Sequence, residues 1–124
     1  MAFFSILNRK KKKMPPKPTE NKMSKYHMDF DRIMKNIFKT DVKLLSYYGP
    51  VQMGILGMTY DYLPKPYKIT MECERGIFVI RITDKEGKTF YPTDNIKESH
   101  FHDISVEQDI IQLVQLTYDT LKNK

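Results

Sequence analysis

Residues 67–91, YKITMECERGIFVIRITDKEGKTFY, permit one strand register, and that register constrains what the rest of the chain can do. Arg75-Gly76 suits a two-residue hairpin turn, because Gly76 tolerates the positive φ that such turns need. Pairing outward sets Glu74 against Ile77, Cys73 against Phe78, Met71 against Ile80 and Ile69 against Ile82. Side chains alternate faces along a strand, so Ile69, Met71, Cys73, Phe78, Ile80 and Ile82 share one apolar face. A one-residue slip would oppose each of them with a polar side chain, so pattern and turn agree. Asp84-Lys85-Glu86-Gly87 forms a second turn, with Gly87 at its left-handed position. It sets Ile82 against Phe90 and Thr83 against Thr89, adding Phe90 to the apolar face. The opposite face carries Lys68, Thr70, Glu72, Val79, Arg81 and Thr83 and is expected to be mostly wet. Such a sheet needs cover on its apolar side only, and helices are the expected cover.

Two amphipathic segments supply that cover. In residues 26–39, Phe30, Ile33, Met34, Ile37 and Phe38 recur at spacings of three and four, which makes one helical stripe. Ser105-Val106-Glu107-Gln108 matches a capping box and opens a last helix to about Leu121. Its stripe is Val106, Ile110, Leu113, Val114, Thr117 and Leu121, widened by Ile111, Leu116 and Tyr118, an arc that implies contact with more than one element. The expected fold is α+β: a mostly antiparallel sheet of three to five strands, with an N-terminal and a C-terminal helix packed on one face.

Residues 42–62 read as two further strands, VKLLSYY ended by Gly49-Pro50, then VQMGILGMTYDY. Gly54 and Gly57 weaken a strand interior and suggest a bulge, a bend or a close backbone approach. GILG lacks a following Lys-Ser/Thr and is no phosphate loop. Tyr47, Tyr48, Tyr60, Tyr62 and Tyr67 interleave with Lys43, Lys65 and Lys68. They make either a contact surface or ordinary sheet residues with their hydroxyls in water.

At 124 residues the chain has the length of one domain. Its single cysteine, Cys73, allows no internal disulfide and falls on the apolar face, as a buried, inert thiol. The net charge of +6 is unevenly held: residues 1–25 contain eight basic residues and one acidic, leaving 26–124 at a net −1. The basicity belongs to a tail, 1–25, and the domain is 26–124. Within the tail, residues 14–25 (MPPKPTENKMSK) read as a semi-extended linker. The start, MAFFSIL, is too short to span a bilayer, and its charge follows the apolar run where a secretory signal would precede it. Phe3, Phe4, Ile6 and Leu7 beside Arg9, Lys10, Lys11, Lys12 and Lys13 suit an anionic, cytoplasmic membrane surface, where each lysine contributes about 1 kcal/mol. A solvated tail and a nucleic-acid contact are the other readings, the latter disfavoured because the domain itself is not basic.

No nucleophile elbow, Walker loop, dinucleotide fingerprint, Cys-His zinc pattern or HExxH is present. His100 and His102, flanked by Glu98 and Asp103, have a spacing that metals use, but His27 is the only other histidine. An exposed polar loop is the expectation there, with no metal and no cofactor. Glu72 and Glu74 read as solvated carboxylates with Lys68, Arg75 and Arg81 as partners. The expected function is a non-catalytic protein-binding module, with Tyr47, Tyr48, Tyr60, Tyr62, Glu72 and Arg81 as contact candidates. A peripheral membrane protein tethered by its N-terminal segment is the alternative, and nucleic-acid binding through the tail a further one; the expected location is the cytoplasm or the inner membrane surface. In size and order of elements the chain resembles small bacterial immunity and mobile-element proteins, which implies an intracellular inhibitor, immunity or accessory factor.

Overall fold

A computed structural model describes residues 23–94, 96 and 99–124. Both turns sit where the register demands. Arg75 and Gly76 adopt φ values of 55° and 81°, the pair of positive angles that joins twisted strands without splaying them. On either side, Glu74 pairs with Ile77, Cys73 with Phe78, Met71 with Ile80 and Ile69 with Ile82. The second turn closes with Ile82 opposite Phe90 and Thr83 opposite Thr89.

Around this hairpin the chain runs α1 (Lys25–Phe38), β1 (Val42–Val51), β2 (Ile55–Tyr62), β3 (Tyr67–Glu74), β4 (Ile77–Thr83), β5 (Thr89–Phe90), β6 (His102–Asp103) and α2 (Glu107–Lys122). The fold is α+β. Among the described residues the sheet has six strands, antiparallel in the order β1-β2-β3-β4-β5, with β6 also on β4. β5 pairs with the Ile82–Thr83 end of β4 and β6 with its Ile77–Phe78 end, so two short strands cap one edge. β1 is the other edge.

Residues 42–62 hold two strands, as expected, but the second starts at Ile55 after a 3-10 turn at Gln52–Gly54, and β1 does not stop at Gly49-Pro50. Pairing lapses after Tyr48 and resumes with Val51 opposite Ile55. An edge strand tolerates this, because proline's missing N–H is needed only where a second neighbour must be bonded. A further irregularity between Leu44 and Ser46 leaves Leu45 as a bulge.

The helices lie over one face. Phe30, Ile33, Met34 and Phe38 of α1 and Ile110, Leu113, Val114 and Leu121 of α2 are buried with Met58, Tyr60, Ile69, Met71, Phe78, Ile80 and Ile82 of the sheet. Each aliphatic side chain so buried contributes about 1.5–3 kcal/mol. Aromatic edges seat the layers: Phe30 meets the Phe78 ring at 6.1 Å, and Phe38 meets Tyr62 at 5.9 Å and Tyr118 at 5.2 Å. The buried hydroxyl of Thr117 donates to the Leu113 carbonyl at 2.7 Å, so its place in the stripe leaves no orphaned donor. No helix of the described residues is long and apolar enough to cross a membrane.

The capping box lies on the other helix. Ser105 gives both its N–H and its hydroxyl to the Asp103 carboxylate, at 2.9 and 2.7 Å, and α2 starts after Val106 with no side-chain cap. Ser24 caps α1 instead, its hydroxyl accepting from the His27 N–H at 3.3 Å while His27 Nδ1 accepts from the Ser24 N–H at 3.0 Å.

Candidate protein-contact face

Among the described residues, no helix covers the face of the sheet turned away from α1 and α2. Register sorts its side chains into rows. Lys43, Asp61, Lys68 and Thr83 lie at the end nearest the β2–β3 connection, followed by Ser46, Thr59, Thr70 and Arg81. The next row is Tyr48, Gly57, Glu72 and Val79, and the last holds Val51 and Ile55, then Glu74, Ile77 and Asp103. The expectation of a wet face holds for the first two rows. The other end mixes Tyr48, Val51, Ile55, Ile77 and Val79 with the carboxylates of Glu72, Glu74 and Asp103.

Tyr48, Val51, Met53, Ile77 and Phe101 are all exposed there, Phe101 at 61% and Ile77 at 44%. Tyr48, Ile55, Ile77, Val79 and Phe101 border an open concavity of about 450 Å³, with Glu72 and Glu74 of β3 between them. The β1–β2 connection folds against the β3–β4 turn, Arg75 donating its N–H to the Met53 carbonyl at 2.8 Å, which brings Met53 to the same end. Phe101 arrives from the loop before β6. A soluble surface carries scattered apolar side chains as a matter of course, but a gathering of them on one face marks a contact region.

Local geometry explains why Tyr48 belongs to it. Its ring lies against Gly57, so closely that a Cβ there would clash with Cε1, Cζ and the hydroxyl of Tyr48. This is the close approach that a glycine inside a strand suggests. Burial against that backbone, and then the Glu72 carboxylate, push the Tyr48 phenol above its usual range. Glu72 in turn is ion-paired with Arg81, diagonally across β3 and β4. Such a half-exposed pair contributes little to stability, under about 1 kcal/mol.

The expected contact residues therefore separate. Tyr48, Glu72 and Arg81 share the open face. Tyr47 points to the helix side, half-buried, its ring centre 5.3 Å from that of His27. Tyr60 and Tyr62 are core residues, 0% and 4% exposed, and neither offers a surface contact. The parity of β2 requires this, since Leu56, Met58, Tyr60 and Tyr62 alternate with Gly57, Thr59 and Asp61. Nor is the Tyr60 hydroxyl in water: it donates to Asp31 Oδ1 at 2.7 Å. Burial, then that bond, raise its pKa far above the usual phenol value. Phe3, Phe4, Ile6, Leu7, Arg9 and Lys10 to Lys13 lie outside the described residues.

The two loop histidines have different neighbours. His100 stacks on Tyr91 at 4.1 Å, is hydrogen-bonded through Nδ1 to the Thr93 hydroxyl, and holds Nε2 3.9 Å from Asp94. His102 packs toward Phe78, ring centres 6.0 Å apart. The order hydroxyl, imidazole, carboxylate is that of an activated nucleophile, but Thr93 is 2% exposed and its oxygen faces protein. The group fastens His100 to the segment that follows β5 and exposes no nucleophile. Among the described residues, no three His, Cys, Asp or Glu side chains converge as a metal site. Burial pushes the Cys73 thiol up, as befits an apolar position.

Comparison of the chain with protein-family models, curated proteins and solved structures gives no match.

Proposed function

We propose that this chain is a non-catalytic protein-binding module that contacts its partner through the hairpin end of the uncovered sheet face. The observation that carries the reading is the gathering of exposed Tyr48, Ile77 and Phe101 with half-buried Ile55 and Val79 on the side of the sheet that no helix of the described residues covers. Glu72 and Glu74 of β3 stand between these side chains with Arg75 and Arg81 beside them, so the face combines aromatic and aliphatic anchors with polar groups, as protein interfaces do.

The test is capture from native lysate by three versions of the full chain, wild type, Ile77→Arg and Phe101→Ser, compared by quantitative mass spectrometry. Ile77 and Phe101 are exposed, so both variants are expected to keep the wild-type circular dichroism spectrum. A protein retained by the wild type and lost by both variants is the expected result. An unchanged set of captured proteins would remove this face as the contact.

A further inference from the structure

We infer that residues 3–13 bind an anionic lipid surface and tether the folded domain to it through the start of α1, at the edge strand β1. The inference goes beyond the contact-face reading and places no residue of that face in the lipid.

Two signals stand side by side in the sequence. Phe3, Phe4, Ile6 and Leu7 are followed at once by Arg9, Lys10, Lys11, Lys12 and Lys13. Apolar side chains enter the boundary between headgroups and acyl chains, and each basic side chain beside anionic headgroups strengthens binding about fivefold. One signal alone gives marginal attachment, and two together give a stable one.

Charge makes the tail the seat of binding. Residues 1–25 hold eight bases and one acid, whereas 26–124 hold thirteen bases and fourteen acids. The bases of α1 do not extend the basic field of the tail: Lys25 is paired with Asp29, Arg32 with Asp29 and Glu107, and Lys35 with Asp31. A nucleic acid would attract the same lysines but offers no apolar interior to Ile6 and Leu7, so the apolar run selects lipid.

The structure fixes where this segment joins the domain. Ser24 caps α1, and His27 in its first turn is hydrogen-bonded to the Tyr48 carbonyl at 2.9 Å, so the chain enters beside β1. Residues 14–23 reach no further than about 35 Å even at full extension. Attachment through 3–13 therefore keeps the Tyr48 edge of the domain within that distance of the lipid and asks nothing of Ile77 or Phe101.

Cosedimentation of the full chain with vesicles tests this. Phosphatidylcholine vesicles holding about one-third phosphatidylglycerol should retain the wild type at low salt and release most of it near about 0.5 M salt, and vesicles of phosphatidylcholine alone should retain little. Phe3→Ser/Phe4→Ser should weaken retention about tenfold or more, and Lys10→Gln/Lys11→Gln/Lys12→Gln/Lys13→Gln about a hundredfold or more. Ile77→Arg should bind as the wild type does, and all variants should share its circular dichroism spectrum. Absence from the pellet at low salt overturns the inference, as does retention indifferent to both tail variants. Retention lost with Ile77→Arg would make the sheet face the lipid contact and likewise overturn it. Undiminished retention of the phenylalanine variant, with duplex DNA competing the vesicles away, would assign the bases to nucleic acid and overturn it as well. The lysate capture stands or falls separately, because its variants leave residues 3–13 intact.

Discussion

His27 Nε2 lies 2.9 Å from the carbonyl oxygen of Tyr48, and this one bond fixes the start of α1 to the edge strand of the sheet. A carbonyl can only accept, so Nε2 carries the proton; Nδ1 is left as the acceptor that the Ser24 N–H requires. One fully buried imidazole thus caps a helix and ties it to the strand whose tyrosine ring lies on Gly57 at the contact face. Helix layer, edge strand and open face are joined at that point.

His27→Ala should therefore cost more than a helix cap alone. It strands the Tyr48 carbonyl and the Ser24 N–H as well as opening a cavity, and an unsatisfied buried polar group costs about 1–3 kcal/mol. For a domain of this size each kcal/mol corresponds to about 4–8 °C, so a drop on the order of 10 °C in the melting temperature is expected. A change within about 2 °C by calorimetry would show that the bond does not matter.

Cys73 offers a probe of the whole fold. It is buried between sheet and helices, and burial holds its thiol above the usual range, so the reactive thiolate is scarce in the native state. Thiol reagents should label the folded chain slowly, at a rate that rises with urea in parallel with unfolding. Fast labelling in the absence of denaturant would place Cys73 in a readily opened region and not in the core.

How much of this was legible in the sequence follows from how local each signal is. The β3–β4 register was readable because six apolar residues, one turn glycine and strict alternation all demand the same pairing. Tyr60 and Tyr62 were misjudged although β2 alternates as cleanly as β3. One glycine and three hydroxyl-bearing side chains disguise its alternation, and the acceptor for Tyr60, Asp31, is 29 residues away. Ser105 met the capping pattern, yet Asp103, two residues earlier, claims it; His27 performs the reciprocal half of a box usually written with Glu or Gln. Phe101 has no periodic neighbours and sits in a polar loop. Only the pairing of β6 beside Ile77 brings it to the contact face.

Tyr60 ties β2 to α1 through Asp31, which also pairs with Lys35 at 3.0 Å. Tyr60→Phe should cost about 1–2 kcal/mol at neutral pH, the worth of a buried bond to a charged acceptor. It should also change the response to alkali. The folded chain holds this phenol's proton beyond the point, near pH 10, where the unfolded chain releases it. The contribution is therefore complete below about pH 10 and declines above it, by about 1.4 kcal/mol per pH unit. Urea titrations at about pH 8 and pH 11 should show a shallower loss of stability in Tyr60→Phe than in wild type. Equal losses would mean that another group sets the alkaline limit.

Gly57 and Tyr48 form a coupled pair at the contact face, and a double-mutant cycle measures the coupling. The Cβ of Gly57→Ala must displace the Tyr48 ring, which lies against Gly57. Overpacking of this kind costs about 1–3 kcal/mol. With Tyr48→Ala already in place the ring is gone, and the same alanine should be neutral or slightly stabilising, since alanine loses less backbone freedom than glycine on folding. The expected interaction energy is thus about 1–3 kcal/mol, and independence of the two substitutions would contradict the seating of the ring on Gly57. The pair also separates stability from contact. If Tyr48 anchors the interface, Gly57→Ala displaces the ring and should weaken partner capture by a chain that is still folded, whereas Ile77→Arg should do so with no change in the melting temperature.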